Sequence, residues 1–200
     1  MDTSRSDREL VLDRFMEEYD FTRCELRVID GPAEEVYQRA RSLDFLEVRN
    51  RLMDTAMWIR VLPARLRGTE LPVPPTMRPG DLIDDPPPVS EEQPWMALGE
   101  EPGRELVFGS VGRFWQTDIE WKPIAAEDFV AFDESGWGKI AASISTHPYG
   151  HRRCIAVYEA RTTMTDPQSR ARFGRYWRLV SPFVGVIMGG VLSELERRTG

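Results

Sequence analysis

The chain predicts an α+β fold, a curved antiparallel β-sheet wrapped around one long C-terminal α-helix. Three observations lead there. Between residues 95 and 164 the sequence is strand-like and broken by turn signals. After Asp166 one apolar face recurs at steps of three and four to the end of the chain. Ahead of both lies a strand-like stretch followed by two helical ones.

Residues 1–8 are polar, a fraying terminus. Leu10, Val11, Phe15 and Tyr19 then follow at helical spacing and predict a short amphipathic helix. In "FTRCELRVID", residues 21–30, Cys24, Leu26 and Val28 alternate with Arg23, Glu25 and Arg27. That period of two reads as a half-buried strand. "GPAEEVYQRARSLDF" follows, with Pro32 suited to a first helical position and Glu34 and Glu35 to a first turn. Val36, Ala40 and Leu43 share one face of that helix. A second helical stretch over 46–61 carries Leu52, Met53, Met57 and Trp58.

Residues 62–94 hold nine of the 15 prolines and no periodicity. They read as a long loop with at most a short helical turn, either a lid or a plain excursion. From residue 95, "WMALGEEPGRELVFGSVG" gives two strands joined at Pro102-Gly103. "RFWQTDIEW" and "EDFVAFDE" are further strand candidates, and "GKIAASIST" and "RRCIAVYEARTT" flank the turn "HPYG". The expectation is a meander of five or six strands. Asp166 is the predicted N-cap and Pro167 the first residue of the last helix. Its face runs Phe173, Trp177, Val180, Val184, Ile187, Val191, Leu195, and it must be buried against something broad, for which the sheet is the candidate. Gly185 and Gly189 permit close approach of a neighbour, and Pro182 removes the hydrogen bond to the Arg178 carbonyl.

With 200 residues there is enough chain for one domain with a sizeable core. The net charge of −7 and pI of about 5.0 argue against nucleic acid and against an anionic membrane surface. The most apolar run, Leu179 to Leu192, is short for a membrane span and predicts no membrane insertion. Two cysteines, Cys24 and Cys154, form no CxxC pair and no disulfide framework, which fits a reducing, cytoplasmic setting.

The order of elements resembles the START-like, or helix-grip, superfamily (SRPBCC), which includes polyketide cyclases and lipid-transfer domains. "GSVGRFWQ" (109–116), "FVAFDESGWGKIA" (129–141) and "DPQSRARFGRYWRLVSPF" (166–183) are similar to stretches in a group of bacterial members. The resemblance implies a START-like domain over residues 20–198, with 62–94 as a proline-rich insertion and 1–19 as an N-terminal extension. It implies a ligand cavity between sheet and last helix, and it carries over no catalytic residues.

Trp58, Trp115 and Trp177 are candidates to line that space, or to fill it as ordinary core. Glu159 and Arg161, two apart on one strand, form a ligand-orienting pair if their side faces the cavity, and otherwise a solvent-facing pair across strands. Ile155 and Val157 share their parity, which favours the inward side. Tyr158 lies on the other parity with Cys154, Ala156 and Ala160. His147 and His151 bracket a hairpin turn without a third ligand, so no metal site and no cofactor is expected. The leading expectation is a protein that binds a small hydrophobic molecule. One alternative is a cyclase- or aromatase-like enzyme assisted by Arg161, Glu159 or Tyr158. Another is an interaction module or homodimer built on the terminal helices.

Overall fold

A computed structural model describes residues 9–44 and 78–198. The elements are α1 (Val11–Phe15), β1 (Phe21–Asp30), α2 (Ala33–Ser42), α3 (Pro79–Asp84), β2 (Met96–Glu101), β3 (Glu105–Gly112), β4 (Gly138–Pro148), β5 (Arg153–Met164) and α4 (Pro167–Arg197). The five strands form one antiparallel sheet in the order β1-β5-β4-β3-β2. Sheet and long C-terminal helix together make the α+β, helix-grip architecture. The expected helix over 46–61 lies outside the described residues.

Turn chemistry joins the strands as the sequence implies. Arg104 N donates to Glu101 O at 3.0 Å, and Gly103 takes φ +80° between them. Only a residue without Cβ adopts that φ without strain. The second hairpin closes with Tyr149 N on Arg153 O at 2.9 Å. α2 begins one residue later than the sequence suggests, with Pro32 in the extended N-cap position.

Four strands, not five or six, fill residues 95–164. "RFWQTDIEW" makes a single bridge, Gly112 to Trp121. "EDFVAFDE" holds a 3-10 turn at Ala126–Asp128. Its apolar residues are consecutive rather than alternating, and Phe129 and Phe132, three apart, both enter one core cluster.

The sheet is covered on both faces. α2 and α4 pack on the inner face, where Val36, Tyr37, Ala40, Val191, Leu192 and Leu195 meet Ile29, Leu106, Ile144, Cys154 and Ala156. α1 packs on the outer face, where Val11, Leu12 and Met16 meet Met96, Val107, Val111, Ala141, Phe129 and Trp137. Each face is read by alternate residues of every strand.

β1 reverses its apparent polarity. Cys24, Leu26 and Val28 are exposed, with Leu26 at 65%. Arg23, Glu25 and Arg27 lie on the inner face toward α4. The physical reason lies in the neighbours. Leu26 stands opposite Val157 and Val28 opposite Ile155, so the apolar row has cross-strand cover on the outer side. The charged row has acceptors or space on α4, since Arg27 pairs with Glu196 at 2.6 Å and Arg23 lies over Gly185.

α4 starts as the sequence predicts. Asp166 Oδ1 accepts from the backbone of Gln168 and Ser169, each at 2.9 Å. Its Oδ2 accepts from Ser169 Oγ and Gly136 N, both at 2.7 Å. These bonds, led by the Ser169 hydroxyl, lower the Asp166 pKa to about 2. By length and composition α4 suffices to cross a membrane, with a mean hydropathy of 1.4 in its most apolar window. Here it packs on β1 and β5, and Phe173, Val191, Leu192 and Leu195 are buried. Gly185 and Gly189 differ: a Cβ at Gly185 would stand 2.6 Å from the Arg23 Cζ, whereas one at Gly189 would meet nothing within 4 Å.

Candidate functional site

The strand register sets the floor of the site. On the inner face one row reads Arg23, Ala160, Ala142, Phe108, Ala97 across the five strands. The next row reads Glu25, Tyr158, Ile144, Leu106. Alanine in the middle of a strand leaves a shallow place between larger neighbours. Ala160 stays half-buried, as do Ile140, Tyr158 and Trp95 around it.

Aromatic rings form a connected wall around that floor. Tyr158 meets Phe108 at 6.4 Å between centroids, and Phe108 meets Trp95 at 5.6 Å. Trp95 continues to Trp121, Trp121 to Phe114 at 5.9 Å, and Phe114 to Phe173 at 6.4 Å. Phe173 stacks on Trp177 at 5.6 Å and 22°, and takes Phe21 edge-on at 5.0 Å. Such edge and offset contacts suit ring quadrupoles. Phe108, Phe114 and Phe173 are buried, while Trp95, Trp121, Tyr158 and Trp177 keep exposed surface. Trp95 and Ala97 also border an open groove of about 340 Å³ beside β2, whose other wall is Leu82, Ile83, Pro86 and Pro87.

The charged pair beside the Ala160 floor is Arg23 with Glu25. Nε and Nη2 of Arg23 both donate to Glu25 Oε1, at 2.8 and 2.5 Å. Their side chains are 37% and 27% exposed. Burial pushes the Tyr158 phenol well above its ordinary pKa.

The structure divides the residues singled out from sequence. Tyr158 and Trp177 lie on the inner aromatic wall. Trp115 packs beside Phe114, Met164 and Phe173 at its end. Trp58 lies outside the described residues. Glu159 and Arg161 are on the outer face, so the inward parity expected from Ile155 and Val157 is corrected. The inner parity of β5 is Cys154, Ala156, Tyr158, Ala160. Arg161 instead secures the N-terminal segment. Its Nη1 donates to Asp13 Oδ1 at 2.7 Å and to the Met16 carbonyl at 2.8 Å, and its Nε donates to Glu159 at 2.7 Å. Its guanidinium also lies 4.9 Å from the Tyr19 ring centroid. Glu105, fully buried in the same outer layer, accepts from Val11 N at 2.7 Å and Leu12 N at 3.2 Å.

His147 is half-buried against Ser145 Oγ at 3.0 Å, and His151 is exposed. Desolvation, with Arg104 nearby, lowers the His147 pKa. Among the described residues no group of three or more His, Cys, Asp or Glu is placed to hold a metal. The face as built can stack on flat apolar surfaces and hydrogen-bond to one polar group.

Sequence reasoning missed Arg23, Glu25, Trp95, Phe108 and Trp121. The one signal available was charge on every second residue of β1, which reads equally well as a solvated row.

No family model matches the chain, and no curated protein matches it. Among solved structures it is similar to CalU16 from Micromonospora echinospora, at 12% identity and TM-score 0.29, over 89% of this chain and 82% of that one. It is also similar to TTHA0849 from Thermus thermophilus, at 14% and 0.32, over 90% and 97%. A third is the di-domain ARO/CYC BexL from the BE-7585A biosynthetic pathway, at 14% and 0.36, over 86% and 46%. These scores are low, and the fold rests on this chain's own strand order and helix.

Proposed function

We propose that this chain is a START-like binding protein that holds a small, largely apolar, flat molecule on the inner face of the sheet, against α4. The observation that carries the reading is the connected wall of rings from Tyr158 to Trp177, set around the small, half-buried floor residue Ala160. Ligand sites are mostly apolar walls with a few placed polar groups, and this face has that composition. Native mass spectrometry of gently purified protein tests it. A discrete extra mass that leaves on denaturation is the expected result. Bare protein that also fails to bind added aromatic compounds would refute the reading.

A second reading is a cyclase- or aromatase-like enzyme, in which the wall positions a reactive chain. The observation in its favour is the Tyr158 phenol, which ends the wall beside Phe108 and Ala160. Arg161 and Glu159 have no part in it, because they serve the outer face. Turnover of a polyketide-type substrate that Tyr158→Phe abolishes, with binding intact, would favour the enzyme.

A further inference from the structure

We infer that the ligand of the inner face carries a neutral polar head that both accepts and donates a hydrogen bond, such as a phenol or enol, held by the Arg23–Glu25 pair. This rests on the binding reading above.

The pair is placed for contact with a ligand. Arg23 stands opposite Ala160 and Glu25 opposite Tyr158, so both belong to the two rows that floor the site. Phe21, one inner-face step before Arg23, packs on Phe173 and Trp177. The guanidinium is fixed from two sides. Two of its nitrogens bond Glu25, and its plane lies over Gly185, where a Cβ would come within 2.6 Å of Cζ and Nε. A glycine inside a helix is less favourable than alanine, and here its missing side chain is the room that the guanidinium occupies.

The bonding is unfinished on both partners. Among the described residues, nothing bonds Nη1 of Arg23 or Oε2 of Glu25. One is a donor only and the other an acceptor only. They are also of opposite charge and close together. An anionic head would gain from Arg23 and lose to Glu25, while a cation would do the reverse. A hydroxyl on a flat ring can accept from Nη1 and donate to Oε2 at once, with its ring against the aromatic wall. Charge-assisted bonds of this kind are stronger than neutral ones.

Equilibrium dialysis of the full chain against three probes tests the inference: 2-naphthol, 2-methylnaphthalene and 2-naphthoate. Shape and apolar surface are nearly constant among them, so the head group is what varies. The naphthol is expected to bind about tenfold tighter than the methyl compound and tighter than the naphthoate. Arg23→Met should erase that preference while leaving the methyl compound's affinity within about twofold. Gly185→Ala should do the same with Arg23 still present, because the added Cβ displaces the guanidinium. Glu25→Gln, which preserves shape, should move the preference toward naphthoate. Equal binding of naphthol and methyl compound would overturn the role of the pair and leave the aromatic site standing. Preference of the native protein for naphthoate would replace the neutral head with an anion and overturn the inference. Failure of all three probes to bind would overturn the aromatic site itself, and the inference with it.

Discussion

The two faces of the sheet use the same chemistry to opposite ends. Each carries an arginine two residues from a glutamate on one strand, Arg161 with Glu159 outside and Arg23 with Glu25 inside. Arg161 is 6% exposed and is bound by two carboxylates, a carbonyl and an aromatic ring. The Arg23 side chain is more than a third exposed and, among the described residues, bonds Glu25 alone. A saturated guanidinium holds structure together, here the short helix α1. An unsaturated one is available to something that arrives later.

The largest expected effect is on the outer face. Arg161→Met leaves Asp13 and Glu159 without their cation, and breaking such a pair should cost about 3 kcal/mol of stability. Arg23→Met, at a side chain more than a third exposed, should cost under about 1 kcal/mol. Urea unfolding of both variants would measure the contrast, and equal losses would break it.

A second effect belongs to the inner face. Ala160→Phe puts a ring on the shallow floor and should weaken aromatic probes by about 30-fold, roughly 2 kcal/mol. Thermal melting of the same variant should show little change, because Ala160 is only half-buried.

Glu105 gives the outer face a pH signature. Burial raises its pKa above the usual carboxylate value, against the lowering influence of the Val11 and Leu12 amides, Ser143 and Arg104. A raised folded-state pKa means the group's contribution is complete below the unfolded pKa and is lost as pH rises through the folded one. Native protein should therefore lose stability relative to Glu105→Gln between about pH 4 and pH 7. Urea midpoints at the two pH values would show it. A native protein that gains on Glu105→Gln over that range would contradict the assignment.

The smallest effect separates two glycines one helical turn apart. Gly189→Ala meets open space and should stabilise α4 by about 0.5–1 kcal/mol. Gly185→Ala should not, since its Cβ meets Arg23. Circular-dichroism melts of the pair would sharpen the claim that Gly185 is there for the guanidinium.

Local sequence determined the elements whose signals are local. The cap at Asp166, the Pro102-Gly103 turn, the α2 face of Val36, Ala40 and Leu43, and the two strands around "HPYG" each depend on residues a few positions apart. The sheet-plus-helix class followed, because a long apolar helix needs a broad partner. Which face of a strand turned inward was decided only in three dimensions. Period-two alternation marks two sides without saying which one meets the helix: β1 turned opposite to its apolar count, and β5 turned its branched residues Ile155 and Val157 outward. That choice depended on cross-strand cover from Ile155 and Val157 and on space at Gly185, over a hundred residues away from β1. It moved Glu159 and Arg161 out of the site and brought Arg23 and Glu25 into it.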